Sequence, residues 1–266
     1  MRERRYTQQA QDPVFLESYS LRTLALSYDL RAIPADENQR EALVNPYQPL
    51  AADAFLAPLD QVAPRPVSLV ILCRLVDLAG LRRPLSALSE SFDDIVLVVD
   101  GEAPTREALF SDRVRIIFRS LAGDFAAQRN AGQELARHNW VLQLDSDEAL
   151  TPGALASLGR VAAIADETGS VSIGLPRENR VDGSLSDLFP DIQYRLNRKN
   201  VRFTGRVHER PTLPRGWRDS FIAPNLIIEH RMERHHVEVR SIRYEALAPG
   251  RGRTFERDDL LRPYRP

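Results

Sequence analysis

Trp140-Val-Leu-Gln-Leu-Asp145-Ser-Asp147-Glu148-Ala-Leu150 is the stretch on which the reading of this 266-residue chain turns. Its first half, Trp140 to Leu144, is an apolar run of the length expected for a strand buried on both faces. It then breaks into three carboxylates within four residues, Asp145, Asp147 and Glu148. A strand that stops in acids carries them at its C-terminal edge, where ligands bind in an open α/β sheet. Two carboxylates spaced i, i+2 in an extended turn can converge on one hard cation. Mg²⁺ is commonly held by one or two carboxylates plus substrate phosphates. The plainer alternative is a polar turn before a helix, with Glu148 or Thr151 near the N-cap and Pro152 in the first turn.

The same rhythm recurs on the N-terminal side. Val67 to Cys73 reads as a buried strand, followed by a helical stretch, about Asp77 to Ser89, with Leu78, Leu81, Leu85 and Leu88 at helical spacing and Pro84 marking a break or a late start. Ile95 to Val99 is the next strand and ends at Asp100-Gly101. A short helix at Thr105–Phe110 and a strand at Val114–Phe118 follow. Asp124 caps a helix that runs to about Arg137 and leads into the strand at Trp140. Strands and helices alternate, with connections long enough for crossovers. That pattern predicts a mainly parallel sheet covered by helices on both faces. Two of its strands end in acids, Asp100 and Asp145.

On the C-terminal side a helix is expected from Pro152 to about Glu167, then a strand at Val171–Leu175 entering a turn-rich loop from Pro176 to Ser184. Tyr194–Lys199 and Val201–Gly205 suggest a hairpin, and Leu226–His230 a last strand. Residues 1–65 carry six prolines and little periodicity. They read as an N-terminal extension that packs on the main domain or a partner or is partly disordered, with short helices at Val14–Ala25 and Glu37–Val44. The main domain is taken as 66–247, with a loose tail over 248–266.

Composition narrows the function. A formal net charge of −1 argues against nucleic acid as the main partner. The lone Cys73 precludes an intrachain disulfide and favours a reducing compartment. No apolar run approaches the ~20 residues needed to span a bilayer, and the start lacks a signal core. The expectation is therefore a cytoplasmic protein, with contact at the inner membrane face left open, as is oligomerisation.

The order of these pieces resembles an inverting family-two glycosyltransferase with the GT-A fold, most similar to bacterial lipopolysaccharide-core glucosyltransferase-like members. The matching residues are the Val67–Cys73 strand, Val98-Val-Asp100, Ala127-Gln-Arg-Asn-Ala-Gly132, Trp140 to Leu150, Tyr194-Arg-Leu196, Phe203-Thr-Gly-Arg-Val-His-Glu209 and Ile228-Glu-His230. They cover about residues 66 to 235. The resemblance implies transfer of a sugar from a nucleotide-diphosphate donor to a carbohydrate or lipid-linked hydroxyl acceptor, in bacterial cell-surface polysaccharide synthesis. It implies Mn²⁺ or Mg²⁺ held by Asp147, with Asp145 nearer the ribose or a metal-bound water, and with His230 completing the site. Such a cation would neutralise the charge that develops on a departing diphosphate.

The resemblance further implies that Asp100 contacts the base or ribose and that Arg129 and Asn130 reach the nucleotide sugar. Arg195 and Arg198 would clamp the diphosphate, and Glu209 would take the acceptor proton. Each has a structural alternative. Asp100 could start a turn, and Arg129 could pair along its helix. Glu209 could pair with Arg206 or Arg210, whose charge would lower its pKa. His230 could be a core histidine, and Arg195 and Arg198 could lie on a polar hairpin face. Gly132 would permit close helix–sheet approach. The chain departs from the family at Arg74, where a polar turn residue is expected, and in the loop Gly101 to Thr105. Two other functions compete: a degenerate transferase domain kept for binding or assembly, and a nucleotidyltransferase. The second would need a phosphate loop that Cys73 to Asp77 does not supply.

Overall fold

The computed structural model describes residues 21–44, 55–103 and 112–265. The expected helix at Thr105–Phe110 and the first part of the one at Val14–Ala25 lie outside the described residues. In chain order the elements begin with α1 (Leu21–Leu26), β1 (Leu30–Ile33), α2 (Glu37–Val44) and β2 (Phe55–Pro58). Next come β3 (Val67–Arg74), α3 (Leu78–Ser91), β4 (Ile95–Asp100), β5 (Val114–Phe118), α4 (Phe125–Leu135) and β6 (Trp140–Asp145). The second half holds β7 (Glu148–Leu150), α5 (Pro152–Glu167), β8 (Ser172–Val181), β9 (Ser184–Leu185) and β10 (Asp191–Arg198). It closes with β11 (Phe203–Thr204), β12 (Arg210–Pro211), β13 (Ser220–Ile222), β14 (Ile228–Met232), α6 (Arg234–Leu247) and α7 (Glu256–Leu261).

The main sheet runs β5-β4-β3-β6-β10-β8-β14-β7. β5, β4, β3 and β6 are parallel, as the alternation of elements predicts. Side chains on a strand alternate between faces, and here each face has its own core. Leu69, Ile71 and Cys73 of β3 pack with Leu97 and Val99 of β4 and with Leu81, Leu85, Leu158 and Val161 from α3 and α5. Val70, Leu72, Val96 and Val98 point the other way, toward α4. Gly132 lets α4 settle there, because a Cβ at that position would meet Val70 Cγ1 and lie 2.8 Å from Val98 Cγ2. Helix α3 runs unbroken through Pro84. Burying Leu78, Leu81 and Leu85, at about 1.5–3 kcal/mol each, outweighs the ~3 kcal/mol penalty of an internal proline.

Three expectations give way. β8 does not end at Leu175 but continues through Pro176 to Val181, because β14 pairs along its outer half. Tyr194–Lys199 does not form a hairpin with Val201–Gly205. β10 instead lies between β6 and β8, antiparallel to both, where Leu196 and Asn197 are fully buried. Phe203–Thr204 pairs with Arg210–Pro211 across a turn containing Gly205 at φ 102. The stretch after 248 is not loose where it forms α7, whose Leu260 packs on Val181, Met232 and Val237. At the other end, Leu26 of α1 is fully buried in the larger core, and Arg22 donates to Thr168 Oγ1 at 2.8 Å with its guanidinium over Phe221.

Candidate active site

The parallel register brings the strand ends level. Arg74 is the partner of Asp100, and Leu72 the partner of Asp145. Asp100, Asp145 and Asp147 therefore share one edge of the sheet and line one cavity of about 200 Å³. The opposite wall is α6, which contributes His236, Arg240, Arg243 and Tyr244. Asp100 accepts from the Leu121 amide at 2.8 Å, fixing the loop after β5. Arg74, the unexpected residue at the end of β3, is tied at 2.8 Å to Asp77, whose carboxylate also accepts from Ser146 Oγ at 3.1 Å. A second cavity of about 80 Å³, lined by Glu209, Arg177, Arg195 and Arg210, shares Phe125, Asp145, Arg240 and Tyr244 with the first.

Arg129 lines the second cavity and holds Asp145, which both cavities share. It is 1 % exposed, and it donates from Nη2 to Asp145 at 2.8 Å and from Nε to Glu209. Arg195 donates to Asp145 at 3.1 Å and approaches Glu209 at 3.6 Å. Glu209 is thus paired with Arg129 and Arg195, rather than with its neighbours Arg206 or Arg210. Glu148 is buried, accepting from Arg177 at 2.7 Å and from the Asp145 amide at 3.0 Å. Burial pushes the Asp145 carboxyl up to about 8 against the pull of Arg129, with Glu148, Asp147 and Glu209 adding repulsion. Its side chain is still 33 % exposed, so a ligand can reach it. Carboxylates this crowded favour a further cation.

Asp147 differs from its neighbours. Among the described residues no guanidinium bonds to it; its partner is His230 Nε2, 3.3 Å from Oδ2. Burial opposes its ionisation, but His230 when its ring is protonated and donates, together with the charge of Arg240, holds it at about 2. His230 is 1 % exposed, and its Nδ1 lies 2.7 Å from Asn179 Oδ1. Among the described residues no three His, Cys, Asp or Glu side chains gather to hold a metal by themselves.

Other expected site residues are held elsewhere. Arg198 pairs with Asp166 and stacks over Trp140 at 4.8 Å, and it lines neither cavity. Positions 195 and 198 are an odd number apart on β10, so they face opposite sides of the sheet. Asn130 clasps the Phe203 backbone, donating at 3.0 Å and accepting at 2.8 Å. The His208 ring meets the Gly252 carbonyl at 3.2 Å and the edge of Tyr244, and burial lowers its pKa. The arginines on α6 gave no sequence signal beyond charge. Arg240 and Arg243 form no ion pair among the described residues and face the carboxylates across the first cavity.

Comparison with known proteins places this geometry in a family. No curated protein matches the sequence. Among solved structures, TarS of S. aureus aligns at 13% identity with a TM-score of 0.39, covering 74% of this chain and 42% of that one. The chain therefore spans well under half the length of that structure. A TarS fragment, residues 1–349, aligns at 11% identity and TM-score 0.38, covering 73% of this chain and 69% of that chain, both alone and in complex with UDP. No helix among the described residues is long and apolar enough to cross a membrane. The sheet, its flanking helices and the acids on its edge make the GT-A fold, and the model of the family Glycosyl transferase family 2 matches residues 70–209, more than half of the sequence. The chain belongs to glycosyl transferase family 2.

Proposed function

We propose that this glycosyltransferase moves a sugar, with inversion, from a nucleoside-diphosphate donor in the first cavity to a hydroxyl acceptor in the second. The observation that carries the reading is the meeting of the two cavities at Asp145, with Asp147 and His230 on one side and Glu209 on the other. The donor's ribose lies against Asp100 and its diphosphate between Asp147 and Arg240 and Arg243, which form no ion pair among the described residues. These two arginines replace Arg195 and Arg198 as the diphosphate clamp, since Arg195 is engaged with carboxylates and Arg198 lies away from both cavities.

The donor set suits a divalent cation that completes its shell from the substrate. One carboxylate and one imidazole face each other at 3.3 Å. Mg²⁺ keeps water and phosphate oxygens as most of its ligands, and imidazole favours Mn²⁺. When bound, the cation would neutralise charge on the leaving diphosphate. Glu209 exchanges a contact with Arg129 for the acceptor hydroxyl and takes its proton as the oxygen attacks the anomeric carbon. Arg129 and Arg195 hold Glu209 and Asp145 in place across the boundary between the cavities.

The catalytic unit is residues 66–247 together with α7, whose Glu256 and Leu260 line the second cavity, and the described N-terminal segment packs on its α5 side. The acceptor belongs to a cell-surface polysaccharide of the lipopolysaccharide-core type, reached at the inner face of a membrane. That class rests on the order of the matching motifs. A second reading, a domain that binds nucleotide without turnover, is favoured by the double pairing of Glu209 with Arg129 and Arg195. Incubation with a panel of nucleotide sugars, scoring Mn²⁺-dependent release of nucleoside diphosphate, separates the two. Turnover that Glu209→Gln removes supports transfer, whereas metal-dependent binding with no turnover on any donor supports the degenerate domain.

A further inference from the structure

We infer that Asn179 and Asp191 are positioning residues that fix the tautomer of His230, so that the Nε2 lone pair rather than an Nε2–H faces Asp147. The inference rests on the reading of Asp147 and His230 as cation ligands, but it concerns atoms already in contact in the free protein.

The register of three strands sets up the contact. On β14, His230 is the partner of Asn179 on β8 and of Glu148 on β7. Asn179 and His230 are fully buried or nearly so, at 0 % and 1 % exposed. Asn179 Nδ2 donates to Asp191 Oδ2 at 3.0 Å and points toward the Leu188 carbonyl at 3.4 Å. Asp191 can only accept when ionised, and it is held ionised. Burial works against this, but the charge of Arg177 and the bonds from Asn179, Arg177 and Gln193 bring it to about 2. Turning the Asn179 amide over would aim its oxygen at a carboxylate and a carbonyl. The amide therefore keeps its nitrogen toward Asp191 and its oxygen toward His230, at 2.7 Å from Nδ1. An oxygen there requires Nδ1–H.

An alternative arrangement would otherwise be self-consistent. With Nδ1 as acceptor and Nε2–H as donor, the ring would make an ordinary charge-assisted hydrogen bond to Asp147. In that form its ligand nitrogen is blocked. Asp191, acting through Asn179, disfavours that form. The neutral ring is left with a lone pair opposing a carboxylate oxygen 3.3 Å away, an arrangement that calls for a cation between them. Outer partners that orient a ligating histidine in this way are worth about 10–100-fold in metal affinity.

The test reads the tautomer directly. Long-range ¹H–¹⁵N correlation of metal-free protein, at a pH where the ring is neutral, is expected to report His230 as Nδ1–H. Asn179→Leu removes the acceptor and should move His230 to Nε2–H. Asp191→Ala, at the edge of the second cavity, frees the amide and should give a mixture, which keeps the test open if the buried leucine variant fails to fold. Both variants should bind Mn²⁺ about 10–100-fold more weakly in the presence of UDP, read by the free-ion EPR signal. An Nε2–H tautomer in the wild-type protein, or an unchanged tautomer in a folded variant, would overturn the inference. Wild-type Nδ1–H that shifts in the variants, without any Mn²⁺ binding, would support the lock while removing the metal reading.

Discussion

The two sides of the β6–β7 turn treat their carboxylates differently. Toward the second cavity, Asp145, Glu148 and Glu209 are matched by Arg129, Arg177 and Arg195, three guanidiniums fixed on α4, β8 and β10. Toward the first, Asp147 has an imidazole alone, with Arg240 contributing charge from across the cavity. Acids of the same turn thus serve two purposes. Where the protein supplies its own cations, the carboxylates are tied and their geometry is fixed. Where the described residues supply none within bonding distance, the proposed function puts a cation that arrives with the substrate.

The comparison can be broken first at its most heavily committed residue. Arg129→Met leaves Asp145 and Glu209 without their buried partner, and breaking such a pair costs about 3–5 kcal/mol. Urea unfolding should register a loss of that size; a change below about 1 kcal/mol would mean that the pairing carries little. Glu209→Gln keeps the shape but removes the proposed base. It should lower turnover by about 10²–10⁴-fold while leaving nucleotide affinity unchanged.

A smaller effect is expected from Asp191, whose folded-state pKa of about 2 lies below the 3.8 of an ordinary Asp. A depressed carboxyl contributes stability that is fully present above its unfolded value and is lost as pH falls toward the folded one. The contribution is about 2 kcal/mol. Asp191→Asn should therefore be less stable than wild type at pH 6, with the difference shrinking between pH 4 and 2. A difference that does not vary with pH would break the linkage. Smallest of all, Arg198→Ala should leave nucleotide binding and turnover within about twofold, because its partners Asp166 and Trp140 lie outside both cavities; a large loss of nucleotide affinity would restore it as a diphosphate contact.

Much of this was legible in the chain, and unevenly so. β3, β4 and β6 announce themselves because strands covered on both faces must be apolar throughout. Thr151 and Pro152 mark the start of α5, where Thr151 caps the Ala154 amide. Asp145, Asp147 and His230 stand at the ends of apolar segments, whereas Glu209 is singled out only by the resemblance to the family. The outer half of β8 was hidden because it buries Asn179 and half-buries Arg177, polar residues that read as loop. Their burial is offset by Glu148, Asp191 and His230, brought in from other strands. The role of α6 was hidden for a similar reason. Arg240 and Arg243 look like solvated helix charges until the fold turns them toward acids about a hundred residues earlier in the chain. That Arg195 and Arg198 take different partners follows from the alternation of side chains along β10, which a hairpin reading with other strand bounds does not supply.

Asp147 is the hinge of the contrast, and calorimetric titration of UDP with and without Mn²⁺, in wild type and Asp147→Asn, tests it most directly. The account predicts tight binding to the wild type only when Mn²⁺ is present, and metal-independent, weak binding to the folded variant. Equal stimulation of both proteins by Mn²⁺, or metal-independent binding by both, would contradict it.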